Sequence, residues 1–386
     1  PSNLVAVPLC ALVLISNLAS LLLAWWPAAA AIFNHAGWAL MWCIAETGKW
    51  FAAWPKAYAY VAAPGMFSVF LFYALFLAIV TGWAFRPRLR ALKISALIIA
   101  LAFGAGLALR DYLTPRLTVL PLNQSSAAFF DAPGSRDDLL INCGDSFAAQ
   151  FTLKPFLRAQ GVNRLGNFLL THGESHAMGG AEGITALFDP ARIWISPIPG
   201  RSRVYREFAR ELAKAPRKLA SAREGARAGI WEAIHPSEAD HFSRAEDNAV
   251  VLASEVRGTR VLLLPELGRA GQNALLDRRD KLRADIVIAS MPGDGEPLIE
   301  PLLDAIQPRL IVIANTQQPV SRRPSRKLRR RLETRAAQVI YTAEAGAVTL
   351  RFRNGGWEAR AMNGWRLASE TLDGRTPGLQ AVAHPL

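Results

Sequence analysis

Charge is scarce in this chain of 386 residues: 19% of the residues are charged, and positions 1–109 contain six basic residues and one acidic residue. Soluble proteins carry about 25% charged residues, so the deficit excludes a disordered or fibrous protein and indicates a membrane. The three cysteines are too few for a disulfide scaffold and match no zinc-ribbon spacing. The other 38 basic and 30 acidic residues give positions 110–386 the composition of a mildly basic soluble domain. Two physically different parts therefore meet near residue 110.

Three uncharged stretches predict membrane-spanning helices at about residues 4–26, 66–85 and 94–109. A helix needs about 20 apolar residues to cross the hydrocarbon core. A cleaved signal peptide explains the first stretch poorly, because no basic segment precedes it, no small-residue cleavage site follows it and further spans come later. Residues 1–112 are thus expected to form a membrane part.

Tryptophan is concentrated between the first two predicted spans. Trp38, Trp42, Trp50 and Trp54 recur at multiples of four, which places them on one side of a helix over about residues 35–54. A helix that lies in the membrane interface uses such a face. The alternative is a further, imperfect span.

A basic loop gives the membrane part its predicted orientation. Four of the six basic residues in positions 1–109 lie in residues 86–93. The positive-inside rule places such a loop in the cytoplasm. The prediction is a multi-pass membrane protein whose C-terminal part is extracytoplasmic.

From Leu117 onwards, short apolar runs alternate with helical segments and turn residues. The runs predict two blocks of strands with helices outside, an αβ/βα sandwich rather than a doubly wound sheet. The domain is expected to cover residues 113–355, followed by a C-terminal tail at 356–386. Predicted strands are 117–122, 129–130, 139–142, 168–171, 193–195, 250–253, 261–264, 286–289, 310–314 and 339–341, and predicted helices are 146–160, 204–213, 270–279, 297–306 and 326–336.

Two segments of this domain are strongly basic. Residues 201–227 carry nine basic residues against three glutamates, and a solvated helix face is the leading interpretation. Residues 322–335 carry eight against one glutamate, which favours contact with a polyanion such as DNA. Anionic lipid competes as the partner only if this domain faces the cytoplasm. The predicted nucleic-acid-binding residues are Arg322, Arg323, Arg326, Lys327, Arg329, Arg330 and Arg331.

A loop after a predicted strand offers His172, Glu174 and His176 at alternate positions. A tight loop can aim every second side chain at one point, and imidazole with carboxylate suits zinc or manganese. The alternative is a set of polar residues that merely caps the strand.

The string Thr171-His-Gly-Glu-Ser-His-Ala-Met-Gly-Gly180 resembles the motif T-H-x-H-x-D-H-x-G-G of the metallo-β-lactamase fold. Seven further segments resemble, in order, motifs of the ComEC-type DNA-uptake (competence) membrane proteins. They are 3–8 (N-x-x-A-V-P), 120–127 (L-D-V-G-Q-G-D-A), 139–144 (L-L-I-D-x-G), 155–161 (P-Y-L-R-x-x-G), 247–252 (D-N-S-L-V-L) and 261–266 (V-L-L-T-G-D), and 284–294 aligns with A-D-V-L-K-V-P-H-H-G-S. Since those proteins have more spans, the resemblance implies further spans upstream of this chain.

Departures from these motifs affect the predicted site. Ala177, Met291 and Pro292 stand where the resemblance expects metal-binding histidines. The implied metal ligands are His172, Glu174, His176, Glu266 and Asp294. These side chains would hold at most one zinc or manganese ion. We expect no resident cofactor, and we assign no residue a catalytic role.

The resemblance implies a protein of the bacterial cytoplasmic (inner) membrane that moves DNA, as a single strand, across it. The implied partners are the lipid bilayer and upstream spans, and homo-oligomerisation is left open. The sandwich is predicted to contact DNA without hydrolysing it. The first alternative is a membrane-anchored, metal-dependent phosphodiesterase (nuclease) with an altered ligand set. The second is a structural remnant that completes the membrane part.

Overall fold

The computed structural model describes residues 2–54, 59–87, 90–122 and 124–369, which form two compact units, Pro1–Val61 and Ala62–Leu386. Positions 88–89 of the predicted cytoplasmic loop, position 123 of one motif and positions 370–386 of the predicted tail lie outside the described residues.

The first unit is a helical hairpin of α1 (Ser2–Leu22) and α2 (Pro27–Ala52). Small residues let the two helices approach closely: the Ser16 hydroxyl donates to the Phe33 carbonyl oxygen at 2.8 Å, and a Cβ added to Gly37 would lie 2.9 Å from the Asn17 side chain. Because Pro27 begins α2, this helix is 26 residues long rather than the predicted 35–54. Its length favours the alternative of a further span.

The second unit begins with two more apolar helices, α3 (Met66–Val80) and α4 (Arg90–Tyr112). Gly82, with φ +69°, ends α3 after 15 residues, about 22 Å, so this helix is shorter than the predicted span 66–85. In contrast, α4 is longer than the predicted span 94–109. Among the described residues, three helices (α1, α2 and α4) are long and apolar enough to cross a membrane, judged by length and composition.

Two facing β-sheets follow α4 and confirm the predicted αβ/βα sandwich. The nine-stranded sheet has the order β16-β15-β14-β1-β2-β3-β4-β5-β6, and the seven-stranded sheet has the order β13-β12-β11-β10-β9-β8-β7. The strands are β1 (Arg116–Pro121), β2 (Ser126–Asp131), β3 (Leu139–Ile141), β4 (Asn167–Leu170), β5 (Arg192–Ile195), β6 (Leu219–Ser221), β7 (Arg227–Ala228), β8 (Trp231–His235), β9 (Val251–Val256), β10 (Thr259–Leu264), β11 (Ile286–Ser290), β12 (Leu310–Ala314), β13 (Gln338–Tyr341), β14 (Val348–Arg353), β15 (Gly356–Ala361) and β16 (Arg366–Ala368).

Apolar side chains fill three layers of core. One layer lies between the sheets, where the rings of Phe130 and Trp231 meet edge to face with centroids 5.4 Å apart. The other two lie beneath the outer helices, one for each sheet. These helices are α5 (Ser146–Ala148), α6 (Lys154–Ala159), α7 (Ser175–Met178), α8 (Ala181–Phe188), α9 (Arg203–Ala213), α10 (Arg269–Leu275), α11 (Glu300–Ile306), α12 (Arg326–Glu333) and α13 (Thr342–Ala345).

The sheet extends beyond the predicted domain end at residue 355. Strand β15 pairs with β14, and β16 pairs with β15, so residues 356–368 belong to the sandwich rather than to a tail. Trp357 and Leu367 are buried in the core between the sheets. Their apolar contribution was hidden in sequence by the charged residues that alternate with them.

The parallel strands of each sheet, β3–β6 and β10–β13, place their carboxyl-terminal loops at one end of the sandwich. The loop after β4 contains His172, the loop after β10 contains Glu266, and the segment after β12 contains Arg322. Residues far apart in sequence are thereby brought together at this end.

Candidate functional site

Three of the predicted metal ligands converge at this end of the sandwich. One ligand atom each from His172, His176 and Glu266 lies within 4.8 Å of the others. His176 Nε2 is 2.7 Å from Glu266 Oε2, and His172 Nε2 is 3.7 Å from the same oxygen. His172 and His176 come from the loop after β4 and from α7, whereas Glu266 comes from the opposite sheet.

A hydrogen-bond chain orients the His172 ring. The Thr171 hydroxyl donates to Asn142 Oδ1 at 3.1 Å and lies 2.9 Å from His172 Nδ1. Since the hydroxyl proton is used on Asn142, the hydroxyl accepts from Nδ1–H, which assigns the tautomer with a bare Nε2. This buried Nε2 has no hydrogen-bond partner among the described residues, and burial lowers the pKa of His172. The ring therefore presents a lone pair to the centre of the site.

Glu266 is the buried negative charge of the cluster, with its side chain 2% exposed. Burial raises the pKa of Glu266, but the hydrogen bond from His176 and the nearby positive charges outweigh it, and the pKa lies below its ordinary value. An ionised, buried carboxylate needs a cation or several donors beside it.

That cation is the guanidinium of Arg322. Its Nη1 lies 2.7 Å from Glu266 Oε2 and donates to the Gln124 carbonyl oxygen at 3.1 Å, and its Nη2 lies 2.9 Å from His176 Nε2. The side chain is 11% exposed. The Arg322 side chain therefore points into the site, away from the exposed surface that the predicted contact with nucleic acid would use. His176 Nε2 either carries a hydrogen and donates it to Glu266, or is bare and accepts a hydrogen bond from Arg322, depending on the tautomer.

The donor set does not fit a resident metal ion while Arg322 is in place. A divalent ion bound by these three side chains would need the same Glu266 oxygen and His176 nitrogen that the guanidinium contacts. It would also lie against a positive charge in a poorly hydrated position, where like charges repel strongly. No chemical step through a metal follows from this arrangement.

The two other predicted ligands lie outside the cluster. Glu174 is at the rim, with Oε2 3.4 Å from His176 Nδ1. Asp294 is exposed and pairs with Arg244 at 2.8 Å, so the prediction that it joins the site is not met. The buried carboxylate in that region is Glu246, whose Oε1 accepts from the Gly293 amide at 2.6 Å and lies 4.0 Å from Arg322. Its position before the D-N-A-V-V-L string was the signal that sequence reasoning overlooked.

The basic segment around α12 splits into internal and external residues. Arg329 pairs with Glu344, Arg331 lies 3.3 Å from Glu296, and Arg335 pairs with Asp304. Among the described residues, no ion pair involves the four exposed side chains of the segment, and these are Arg323, Arg326, Lys327 and Arg330. Half of the segment's eight charges thus face solvent, and half hold the loop and helix in place.

The other basic segment starts at the rim of the same cluster. The Ser202 hydroxyl donates to the Gly173 carbonyl oxygen at 2.6 Å. A Cβ added to Gly173 would lie 2.5 Å from Gly200 Cα, so glycine permits this close approach. Arg206 and Arg210 are exposed on α9, four residues apart. The segment 201–227 therefore begins beside the loop that carries His172, and the segment 322–335 begins at Arg322 itself.

No family model matches the chain. It is 21% identical over 259 residues to ComE operon protein 3 of Bacillus subtilis (strain 168), covering 61% of this chain and 33% of that protein. It is 22% identical over 285 residues to competence protein ComA of Neisseria gonorrhoeae, covering 69% and 39%. The chain is similar to ComEC-type competence proteins. It spans between a third and two fifths of the length of these relatives, so the resemblance covers only part of each.

Solved structures that resemble the chain include Igni18, a metallo hydrolase from Ignicoccus hospitalis. Its TM-score is 0.43 at 16% identity, over 62% of this chain and all of that one. Tm1679, a metal-dependent hydrolase of the β-lactamase superfamily, has a TM-score of 0.41 at 14% identity, over 62% and 98%. The fold description above rests on the strand order and layers of this chain alone.

Proposed function

We propose that this chain is part of a ComEC-type protein that moves DNA, as a single strand, across the bacterial cytoplasmic membrane. Similarity to two competence proteins is the observation that carries this proposal. Helices of membrane-spanning length in the same chain support it. The sandwich then serves the transported strand by contact rather than by hydrolysis.

The orientation rests on the basic residues around the start of α4. Arg86, Arg90 and Lys93 surround the turn between α3 and α4, and positive loops stay in the cytoplasm. Since β1 begins four residues after α4 ends, the sandwich lies on the opposite, extracytoplasmic side. A reporter fused after Arg86 should remain cytoplasmic, and an exported reporter would overturn the orientation.

The DNA-contacting surface proposed here differs from the seven residues predicted from sequence, because Arg322, Arg329 and Arg331 are paired with carboxylates. It consists of the exposed Arg323, Arg326, Lys327 and Arg330, with Arg206 and Arg210 of α9 as a second group. Exposed, unpaired cations release counterions from phosphates on binding, whereas an arginine already paired with a carboxylate gains little.

A metal-dependent phosphodiesterase remains the second candidate because one feature favours it. His172 presents a bare, buried Nε2 to the cluster, which is the state of a metal-binding imidazole. Against it stands Arg322, which contacts the two neighbouring ligand atoms.

Incubation of the purified chain with labelled single-stranded DNA separates the two candidates. With zinc, manganese or magnesium added, we expect the strand to be bound and to stay intact. Metal-dependent cleavage that His172→Ala abolishes would refute the contact-only role and establish the phosphodiesterase.

A further inference from the structure

We propose that Arg322 supplies, from within the chain, the positive charge of a metal ion at this site, and that removal of its guanidinium leaves a divalent-metal site made by His172, His176 and Glu266. The evidence is the placement of the guanidinium, which contacts Glu266 Oε2 at 2.7 Å and His176 Nε2 at 2.9 Å. These are two of the three atoms that converge within 4.8 Å.

Charge around the site explains why a cation is needed there. Glu266 and Glu246 are both buried, with side chains 2% and 6% exposed, and Glu174 lies at the rim. Burial of a carboxylate without a partner is unfavourable by several kcal/mol. Arg322 faces Glu266 directly and lies 4.0 Å from Glu246, which Arg244 also approaches at 3.9 Å.

The loop that carries Arg322 is built to hold it there. Asn315 and Thr342 fix the start of the loop, since the Asn315 amide donates to Thr342 Oγ1 at 3.0 Å. The Thr316 hydroxyl donates to the Gln318 carbonyl oxygen at 2.6 Å, and Arg323 Nε donates to the Gln317 carbonyl oxygen at 2.6 Å. Arg322 then closes a one-turn 3-10 helix, Val320–Arg322. The guanidinium is thus positioned by the backbone rather than by the anionic cluster alone.

Without the guanidinium, the remaining side chains have the composition of an open zinc site. Two imidazoles and one carboxylate form a common three-ligand set that leaves a fourth position for water. The Asn142–Thr171–His172 chain already fixes one ring in the ligand tautomer, as partners of metal-binding histidines do. This inference concerns metal binding alone and stands whether or not the chain transports DNA.

The test compares zinc binding by the whole chain, purified in detergent, with and without Arg322. We expect Arg322→Ala to retain about one zinc per chain after dialysis, with an affinity at least about 100-fold above that of the unaltered chain, because a unit charge a few ångströms away no longer opposes the ion. Arg326→Ala is the matched control, since it removes an exposed arginine of α12 and should bind zinc as the unaltered chain does. The double variant Arg322→Ala, His172→Ala should lose the zinc.

Thermal unfolding provides a readout that does not depend on activity. Zinc should raise the unfolding temperature of Arg322→Ala and leave that of the unaltered chain unchanged. Arg322→Gln, which keeps the side-chain stem and loses the charge, repeats the test if the alanine variant does not fold without zinc. Stoichiometric zinc in the unaltered chain, or a folded Arg322→Gln with no gain in zinc affinity, would overturn the proposal.

Discussion

At the residue scale, burial changes the charge of one carboxyl group far from the candidate site. Asp138, 2% exposed, precedes β3 and accepts a hydrogen bond from the Ala132 amide at 2.9 Å. Burial raises the pKa of Asp138 from 3.8 to about 7, because one backbone donor does not replace the lost hydration. The neutral acid is therefore the favoured form in the folded chain at mildly acidic pH.

The pH dependence of stability follows from this raised pKa. Between pH 4 and 7 the folded chain binds more protons at Asp138 than the unfolded chain does, so its contribution to the free energy of unfolding falls as pH rises. Asp138→Asn, which keeps the acceptor oxygen, should flatten this dependence and add roughly 2–4 kcal/mol at pH 8 relative to the unaltered chain. Chemical denaturation in detergent at pH 5 and pH 8 measures the free energy of unfolding of both proteins. An equal fall from pH 5 to pH 8 in Asp138→Asn and in the unaltered chain would contradict the raised pKa of Asp138.

Sequence reasoning found part of the site at this scale and missed its centre. His172, His176 and Glu266 follow strands that end at one edge, which a strand pattern and a motif resemblance can locate. The destination of Arg322 depends on how the loop after β12 folds back, and a dense basic segment gives no hint of one buried member. Asp294 was misplaced for the same reason, because the loop after Met291 turns its carboxylate to solvent and Arg244.

At the element scale, short apolar runs in the sequence predicted strands most reliably. The parallel strands β11 and β12 are buried throughout, so their runs stood out clearly. Strands β15 and β16 alternate charged and buried residues and were read as a tail. The length of α3 depended on the left-handed Gly82, which a hydropathy window passes over.

Helix α12 carries a prediction about DNA binding. Replacement of Arg326, Lys327 and Arg330 by alanine should weaken single-stranded DNA binding and make the log–log salt slope shallower by about 2, since each phosphate contact contributes about 0.7 on single strands. In the unaltered chain, four contacts would reduce affinity about 50-fold between 50 and 200 mM salt. Fluorescence anisotropy at several salt concentrations measures this slope.

Arg331→Ala is the control for that variant. It removes an arginine of the same helix whose guanidinium is engaged with Glu296 and the Leu298 carbonyl oxygen, at 3.3 and 2.6 Å. We expect it to lower stability and leave the salt slope unchanged. If the salt slope changed in Arg331→Ala and not in the triple variant, the DNA would contact a surface other than that of Arg326, Lys327 and Arg330.

At the scale of the whole molecule, an apolar helical part and a basic sandwich lie in one chain, and the two have different roles in the account. In the proposed function, the helices would contact lipid, and the exposed arginines would contact phosphate. The internal Arg322 pairs with the buried Glu266 of the cluster. Transport without hydrolysis by the sandwich is the central claim that follows.

The most direct test follows labelled DNA in the bacterium that produces this chain. Disruption of the chain should leave labelled DNA bound outside the cytoplasmic membrane and prevent its entry into the cytoplasm, and a copy with His172→Ala should restore entry because no metal chemistry at this site is required. Entry that persists after disruption would contradict the transport role. Entry restored by the unaltered copy and not by a stably produced His172→Ala copy would contradict the contact-only role of the sandwich.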